Sequence, residues 1–304
     1  MGFSHAYGTP TEKSEAKKII REAFDYGYDF FDTAECYTGL NSDGSTSYNE
    51  EIVGKALKSV REKVIIATKF GVQHLGTLLK MDSSPETIKK AVEGSLKRLG
   101  TDYIDLYYQH RIDPKVSPED VASVMNELIN DGKIRAWGIS EADEEYLRRA
   151  NNICPVTAIQ NRYSMMARWH ENLFPVLEEL NIAFVAFSPM GNGFLSGKYK
   201  PSDNFESSDF RSFMPQYTKE GFAKAQEFLR LLEQIAESKN ATMGQISMSW
   251  MLCKKPYIIP IPGSRKIERI KENFEAGKVL LTQQEINILD EKLNSMKFLI
   301  FGGH

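Results

Sequence analysis

Three cysteines in 304 residues, Cys36, Cys154 and Cys253, are too few and too far apart for a disulfide framework or a zinc site. A reducing compartment is the expected setting. No uncharged apolar run approaches the roughly 20 residues that cross a bilayer as a helix. The start, Met1-Gly2-Phe3-Ser4-His5, has no basic region ahead of an apolar stretch, so no signal peptide is read and a cytoplasmic location is expected. Charge of one sign is also lacking. The 38 Lys and Arg are interspersed with 41 Asp and Glu, for a formal net charge of −3. That leaves no basic stripe for a nucleic acid and no acidic tail. The five histidines (His5, His74, His110, His170, His304) form no His-x-His pair, which argues against a metal-dependent barrel hydrolase, and no metal is expected. No Gly-x-Gly-x-x-Gly opens a helix, and no Gly/Ser/Pro-rich linker divides the chain. Residues 1–304 therefore read as one domain.

What the chain does have is 41% hydrophobic residues, enough for a sizeable core. They alternate between two periods. Short β-branched and aromatic runs at Asp29–Ala34, Lys63–Lys69, Asp102–Gln109, Ile134–Ser140, Thr157–Tyr163, Ile182–Ser188 and Tyr257–Ile261 predict strands. Helical spacing fills the gaps, as in Ile88, Ala91, Val92, Leu96 and Leu99. Ser84-Pro85-Glu86 and Ser117-Pro118-Glu119 each place a capping hydroxyl before a first-turn proline and acid. Strands apolar on both faces and alternating with helices mean a parallel sheet covered on both sides. The fold class is thus α/β, a (β/α)8 barrel of the TIM type, with seven clear strands and the first missing or degenerate. The first helix begins near Glu12, Tyr199–Tyr217 reads as a long loop, and Thr282–Asn294 as an extra C-terminal helix.

In such a barrel, catalytic side chains come from the C-terminal ends of strands and the loops after them. Asp32, Lys69 and His110 close three successive predicted strands, and Tyr37 follows Asp32 in its loop. Taken singly, each has an ordinary explanation: a turn aspartate, a packing tyrosine, a solvated lysine, a core histidine. Together at neighbouring strand ends they predict a site.

The strings Phe31-Asp32-Thr33-Ala34-Glu35-Cys36-Tyr37, Ala67-Thr68-Lys69-Phe70-Gly71 and Asp105-Leu106-Tyr107-Tyr108-Gln109-His110-Arg111 resemble aldo-keto reductases. So do Gly138-Ile139-Ser140-Glu141, Ala186-Phe187-Ser188-Pro189-Met190-Gly191 and Ile261-Pro262-Gly263-Ser264-Arg265. Six such strings in family order are a specific match, and they span nearly the whole chain. The resemblance implies reduction of an aldehyde or ketone by NADPH, with Asp32, Tyr37, Lys69 and His110 as the catalytic set and Tyr37 as the acid. The adjacent Lys69 ammonium is expected to lower the tyrosine pKa from about 10. Asp32 is expected to pair with Lys69, and His110 to donate to the carbonyl oxygen.

The same resemblance assigns the cofactor. Ser140, Gln160 and Asn161 would hold the nicotinamide carboxamide, and Phe187 would stack on its ring. Ser188, Pro189, Met190, Gly191, Gly193, Leu195 and Lys198 would surround the pyrophosphate. Gly263, Ser264, Arg265, Arg269, Glu272 and Asn273 would clamp the adenosine 2′-phosphate end. Where family members carry an N-terminal hairpin and a first barrel strand, this chain begins at the segment Gly2–Gly8. A small-molecule carbonyl substrate and a monomer or homo-oligomer are expected, with Tyr7, Tyr163 and Tyr199–Tyr217 near the mouth. The ending Phe301-Gly302-Gly303-His304 and Arg111-Ile112-Asp113-Pro114 resemble general bacterial-type reductases. Two other readings remain open: an NADPH-binding regulatory barrel resembling potassium-channel beta subunits, and a truncated inactive paralogue.

Overall fold

The computed structural model describes residues 1–75, 78–207 and 209–302. In chain order the elements are α1 (Lys13–Tyr26), β1 (Phe30–Asp32), β2 (Thr38–Leu40), β3 (Thr46–Tyr48), α2 (Asn49–Leu57), β4 (Ile65–Phe70), β5 (Val72–Leu75) and β6 (Leu78–Met81). Then come α3 (Pro85–Leu99), β7 (Ile104–Gln109), α4 (Pro118–Asn130), β8 (Ile134–Ser140), α5 (Glu144–Ile153), β9 (Ala158–Arg162), α6 (Phe174–Leu180) and β10 (Ala183–Phe187). The last are α7 (Lys219–Ser238), α8 (Met243–Lys254), β11 (Ile258–Pro260), α9 (Ile267–Glu275) and α10 (Gln283–Asn294). All seven expected strands are present. The structure adds two short antiparallel hairpins, β2–β3 and β5–β6, each inserted after a sheet strand. Among the described residues before α1 there is no strand.

Two compact units make up the chain. The first comprises Met1–His5, Thr9–Asn161 and Leu173–Phe184; the second comprises Ala6–Gly8, Arg162–Asn172 and Val185–His304. Gly303 and His304, in the expected terminal motif, lie outside the described residues, as does Ser208 of the Tyr199–Tyr217 loop.

In the first unit, β1, β4, β7, β8 and β9 are successive neighbours, and the registered pairs are parallel. β7 shows why: all six of its residues are buried, with no solvent face to keep polar. Each large apolar side chain so buried stabilises the fold by about 1.5–3 kcal/mol, and Ile66, Leu106, Tyr107, Trp137 and Ile139 are all in this class. The helices that cover the sheet start as the sequence predicts. Ser84 Oγ accepts from Thr87 N at 3.4 Å, and Ser117 Oγ accepts from Asp120 N at 3.1 Å.

Register decides which way the strand ends point. Asp32 pairs with Ala67, Lys69 with Tyr108, Tyr108 with Gly138, and Ser140 with Gln160. Side chains alternate faces along a strand. Stepping by twos from these pairs puts Asp32, Lys69, His110, Ser140 and Gln160 on one face of the sheet. Gly138 keeps that face in register. A Cβ there would lie 2.4 Å from Ala158 O and 2.5 Å from the Tyr108 ring, so only glycine leaves room for both neighbours.

In the second unit, β10 runs into β11 through Ile261 N donating to Ala186 O at 3.0 Å. α8 carries a capping box at Thr242 and Gln245, and α10 another at Thr282 and Glu285. The expected helix over Thr282–Asn294 is present, with Leu289 and Leu293 buried. Among its described residues the Tyr199–Tyr217 stretch holds two short 3-10 turns, and its aromatics pack on one another: the rings of Phe205 and Tyr217 are 4.9 Å apart. Tyr163 is fully buried, stacked on Trp250, with its hydroxyl donating to Glu171, so it packs the core.

Candidate active site

The loop after β1 positions Tyr37. A tight turn closes as Tyr37 N donates to Ala34 O at 3.1 Å, and Tyr37 O accepts from Asn49 N at 3.0 Å. From β4 the Lys69 side chain, fully buried, reaches back across the sheet face. Its Nζ donates to an Asp32 carboxylate oxygen, to Thr33 O at 2.8 Å and to the Tyr37 hydroxyl at 3.4 Å. The ammonium also lies 4.9 Å from the centre of the Tyr37 ring. Asp32 is shared, because its second oxygen accepts from Gln160 Nε2 at 2.8 Å. His110, 8% exposed, presents its ring edge to Tyr37 with centroids 5.6 Å apart. The four expected catalytic residues are thus brought together in the first unit.

Their electrostatics differ from expectation in one respect. Burial pushes the Tyr37 pKa above its ordinary value of 10, and this outweighs the opposing pull of the Lys69 charge. The expectation of a lowered tyrosine is therefore corrected: a buried phenol loses more hydration on ionising than one ammonium at 3.4 Å returns. For Lys69, burial pulls its pKa down, but Asp32 and Tyr37 outweigh that and hold it protonated. Burial, then the positive charges of Lys69 and Arg111, drive the His110 pKa well below 6.5, so its imidazole is neutral.

Ser140 is buried at the end of β8, its hydroxyl accepting from Arg111 at 3.1 Å. Next to it, Glu141 adopts φ +61°, and its backbone N donates to Asn161 Oδ1 at 2.8 Å. That bond fixes the amide orientation of Asn161, since a backbone N–H requires the oxygen. The Asn161 Nδ2 is left buried without a partner. The Gln160 amide nitrogen, by contrast, is engaged by Asp32.

In the second unit, Phe187 ends β10 with the Arg162 guanidinium 5.0 Å from its ring centre. Ser188, Gly191, Asn192 and Gly193 follow with positive φ, closing a compact turn in which Gly193 N and Leu195 N both donate to Met190 O. Leu195 is wholly buried and Lys198 exposed. At the start of α9, Lys266 N donates to Ser264 Oγ at 3.0 Å, and Arg269 pairs with Glu272. Glu272 also accepts from Thr242 Oγ1 at 2.7 Å, and Met190 and Glu272 both approach Gly244. Asn273, 6% exposed, leaves its Nδ2 without a partner. Around Gly263 there is open space, so nothing there requires glycine sterically.

Several neighbours escaped the sequence reading. His5 stacks on Tyr37 at 6.0 Å and 17°, and His74, on β5, lies 4.6 Å from His5. Cys36 Sγ is 3.4 Å from His110 Nδ1. The only sequence signal for Cys36 was its place inside the motif, one residue before Tyr37. Among the described residues, no group of three His, Cys, Asp or Glu could hold a metal ion, and no helix is long and apolar enough to cross a membrane.

The model of the aldo/keto reductase family matches residues 1–294. An aldo-keto reductase of Strobilurus tenacellus is 37% identical over 292 residues, covering 94% of this chain and 83% of the relative. One of Schizosaccharomyces pombe, whose name carries NADP(+), is 35% identical over 307 residues, 98% of this chain and 88% of the relative. The solved structure of a glycerol dehydrogenase of Gluconobacter oxydans superposes with a TM-score of 0.83 at 29% identity, over all of this chain and 92% of the other. The fold class is accordingly the α/β barrel of the TIM type. With a strand-end carboxylate, ammonium and imidazole on one sheet face and the loop phenol of Tyr37 beside them, the chain belongs to the aldo/keto reductase family.

Proposed function

We propose that this chain reduces small aldehydes or ketones to alcohols at the expense of NADPH, with Tyr37 as the proton donor. The observation that carries the reading is Lys69 Nζ, buried between the Asp32 carboxylate and the Tyr37 hydroxyl. The name of the S. pombe relative carries NADP(+), which supports the choice of cofactor.

The residues present fit such a cofactor. In the first unit, the unpartnered Nδ2 of Asn161 is a buried donor suited to a carboxamide oxygen, with the Ser140 hydroxyl beside Arg111 as a second polar group. Gln160 belongs with Asp32 in this reading and holds the catalytic carboxylate in place. In the second unit, the Phe187 face suits a flat heteroaromatic ring. The turn from Ser188 to Gly193, in which Ser188, Gly191, Asn192 and Gly193 take positive φ, is the segment assigned to the pyrophosphate, framed by Pro189, Met190, Leu195 and the exposed Lys198. Ser264, Arg265 and Arg269 at the start of α9 suit a phosphate, and Gly263 leaves it room. Glu272 and the unpartnered Nδ2 of Asn273 offer an acceptor and a donor to a purine edge.

When bound, the cofactor supplies a hydride to the carbonyl carbon. The protein's part is the oxygen. His110, neutral, donates a hydrogen bond to the carbonyl oxygen and stabilises the negative charge that develops there. Tyr37 then passes its phenolic proton to that oxygen. A raised tyrosine pKa keeps the donor loaded, and the proton passes to the substrate oxygen because an alkoxide is a stronger base than a phenolate. Lys69 stabilises the phenolate left behind, and Asp32 holds Lys69 charged and aimed. We further propose one domain over residues 1–304, a cytoplasmic location, and a monomer or homo-oligomer that acts on a small-molecule substrate without a nucleic-acid partner.

The test follows NADPH oxidation with a reactive aryl aldehyde, comparing the protein with Tyr37→Phe. Loss of about 10²–10⁴-fold in turnover is the expected mark of a removed general acid. Equal turnover in both proteins would overturn the role of Tyr37. Absence of turnover in the unaltered chain, with NADPH still bound, would leave a cofactor-binding regulator.

A further inference from the structure

A neutral imidazole has two forms, and only one serves at a carbonyl oxygen. If the proton sits on Nε2, that nitrogen can donate; if it sits on Nδ1, Nε2 is an acceptor and repels the developing charge. What decides is the partner of Nδ1. In this chain that partner is Cys36, whose Sγ lies 3.4 Å from His110 Nδ1. Both groups are buried, the thiol at 9% and the histidine at 8% exposure. The thiol is packed with Ala34 and Val72, and Tyr37 packs against the same cluster.

Two arrangements can fill the contact. The thiol can donate S–H to Nδ1, or Nδ1–H can donate to sulfur. Thiol sulfur is a weak acceptor, whereas an unprotonated imidazole nitrogen is a good one, so the first arrangement wins. It also requires the thiol to keep its proton. Burial pushes the Cys36 pKa up to about 12, and the same burial keeps His110 neutral. A transfer from sulfur to nitrogen, which would give a thiolate and an imidazolium, is opposed from both ends.

We propose that Cys36 is a positioning residue for the reduction: its S–H donates to Nδ1 of His110 and fixes the ring proton on Nε2, the nitrogen that meets the carbonyl oxygen. The proposal rests on the reading of His110 given above. The three groups share one short loop and one strand end. Tyr37, the proton donor, is the next residue after Cys36, so a single turn of chain sets both the acid and, through His110, the hydrogen-bond donor. Cys36 touches neither substrate nor cofactor in this scheme, and its effect passes wholly through the imidazole.

The first measurement is ¹⁵N NMR of the full-length protein labelled at histidine, read at His110. The expected signal is protonated Nε2 with unprotonated Nδ1; a protonated Nδ1 in the unaltered protein overturns the proposal whatever the activity. The second is steady-state reduction of an aryl aldehyde by Cys36→Val and Cys36→Ser. Valine keeps the packing volume but has no donor. It should lower kcat by about tenfold, the factor carried by one ordinary hydrogen bond, with KM little changed. It should also broaden the His110 signals into a tautomer mixture. Serine, which retains a hydroxyl donor, should recover most of the kcat and the Nε2–H form. If the valine variant keeps both the tautomer and kcat, Cys36 is only packing and the proposal fails. Should the unaltered chain show no carbonyl reduction, the reading of the site fails, while the NMR result still decides the hydrogen bond.

Discussion

Gln160 and Asp32 stand 128 residues apart in the chain, midway along β9 and at the end of β1 with three strands between them, yet Gln160 Nε2 donates to Asp32 Oδ2 at 2.8 Å. The five strands of the first unit therefore curl until their outer members share a hydrogen bond across the inner face. Asp32 is satisfied on both oxygens, by Lys69 on one and Gln160 on the other.

Gln160→Leu should accordingly do two things. It strips a donor from a nearly buried carboxylate, which destabilises the fold by about 1–3 kcal/mol, and it frees Asp32 to turn. We expect a lower midpoint in urea denaturation together with a fall in kcat. A variant with unchanged stability would show that the bond adds nothing to the curl.

The raised pKa of Tyr37 makes a prediction about alkaline pH. Because the phenol stays protonated, the rate of carbonyl reduction should hold level through the neutral range and decline only above the ordinary tyrosine value of about 10. His110, neutral at its depressed pKa, should add no step near pH 6.5. A descending limb between pH 7 and 8 in the kcat profile would contradict this balance of burial over charge.

Glu35 titrates in the opposite sense to a paired surface carboxylate. Burial raises its pKa to about 7, against a hydrogen bond from Gly71 N that favours the charged form. The folded state then holds a proton that the unfolded chain has already lost, so stability falls as pH climbs from about 4.5 to 7. The full loss is on the order of 3 kcal/mol at about 1.4 kcal/mol per pH unit. Glu35→Gln keeps the acceptor for Gly71 and removes the ionisation. Thermal melts should show the variant more stable above pH 7 and no different near pH 4; a constant offset at both would count against the raised value.

Gly138→Ala tests the packing that carries Ser140. The added methyl meets a backbone oxygen at 2.4 Å, which cannot rotate away as a side chain could. A loss of about 1–3 kcal/mol is expected from such overpacking. Calorimetry of the variant, with a melting temperature equal to that of the parent, would show that β8 and β9 can separate freely.

The sequence makes the seven sheet strands visible because most are largely buried on both faces and so read as apolar runs, while the half-buried β1 and the short β11 are still apolar enough to stand out. The hairpins β2–β3 and β5–β6 do not read that way. Thr38–Leu40 and Val72–Leu75 are short and mostly exposed or half-buried, with no alternation long enough to mark a strand. The proposed catalytic set is legible for a different reason: Asp32, Lys69 and His110 interrupt apolar runs at equivalent places. The partners of that set are not. Cys36 and Gln160 find His110 and Asp32 through folding, at separations that no local pattern encodes. The expected lowering of the Tyr37 pKa failed for a related cause, since a charged neighbour can be read from a motif whereas the degree of burial cannot.

The register that sets Asp32, Lys69, His110, Ser140 and Gln160 on one face also governs how this enzyme can change. Asp32 and Ser140 close their strands, Lys69 stands one residue before the end of β4 and His110 just past β7, so one can be exchanged for a near-isostere while the layers beneath stay assembled. Length is the parameter that cannot drift. A single codon deleted within β4 would turn Lys69 to the helix side and carry Phe70 inward in its place. The chemistry is therefore open to substitution and closed to insertion or deletion inside the strands, and new residues can be gained cheaply only in the turns that follow them, where the two hairpins already lie.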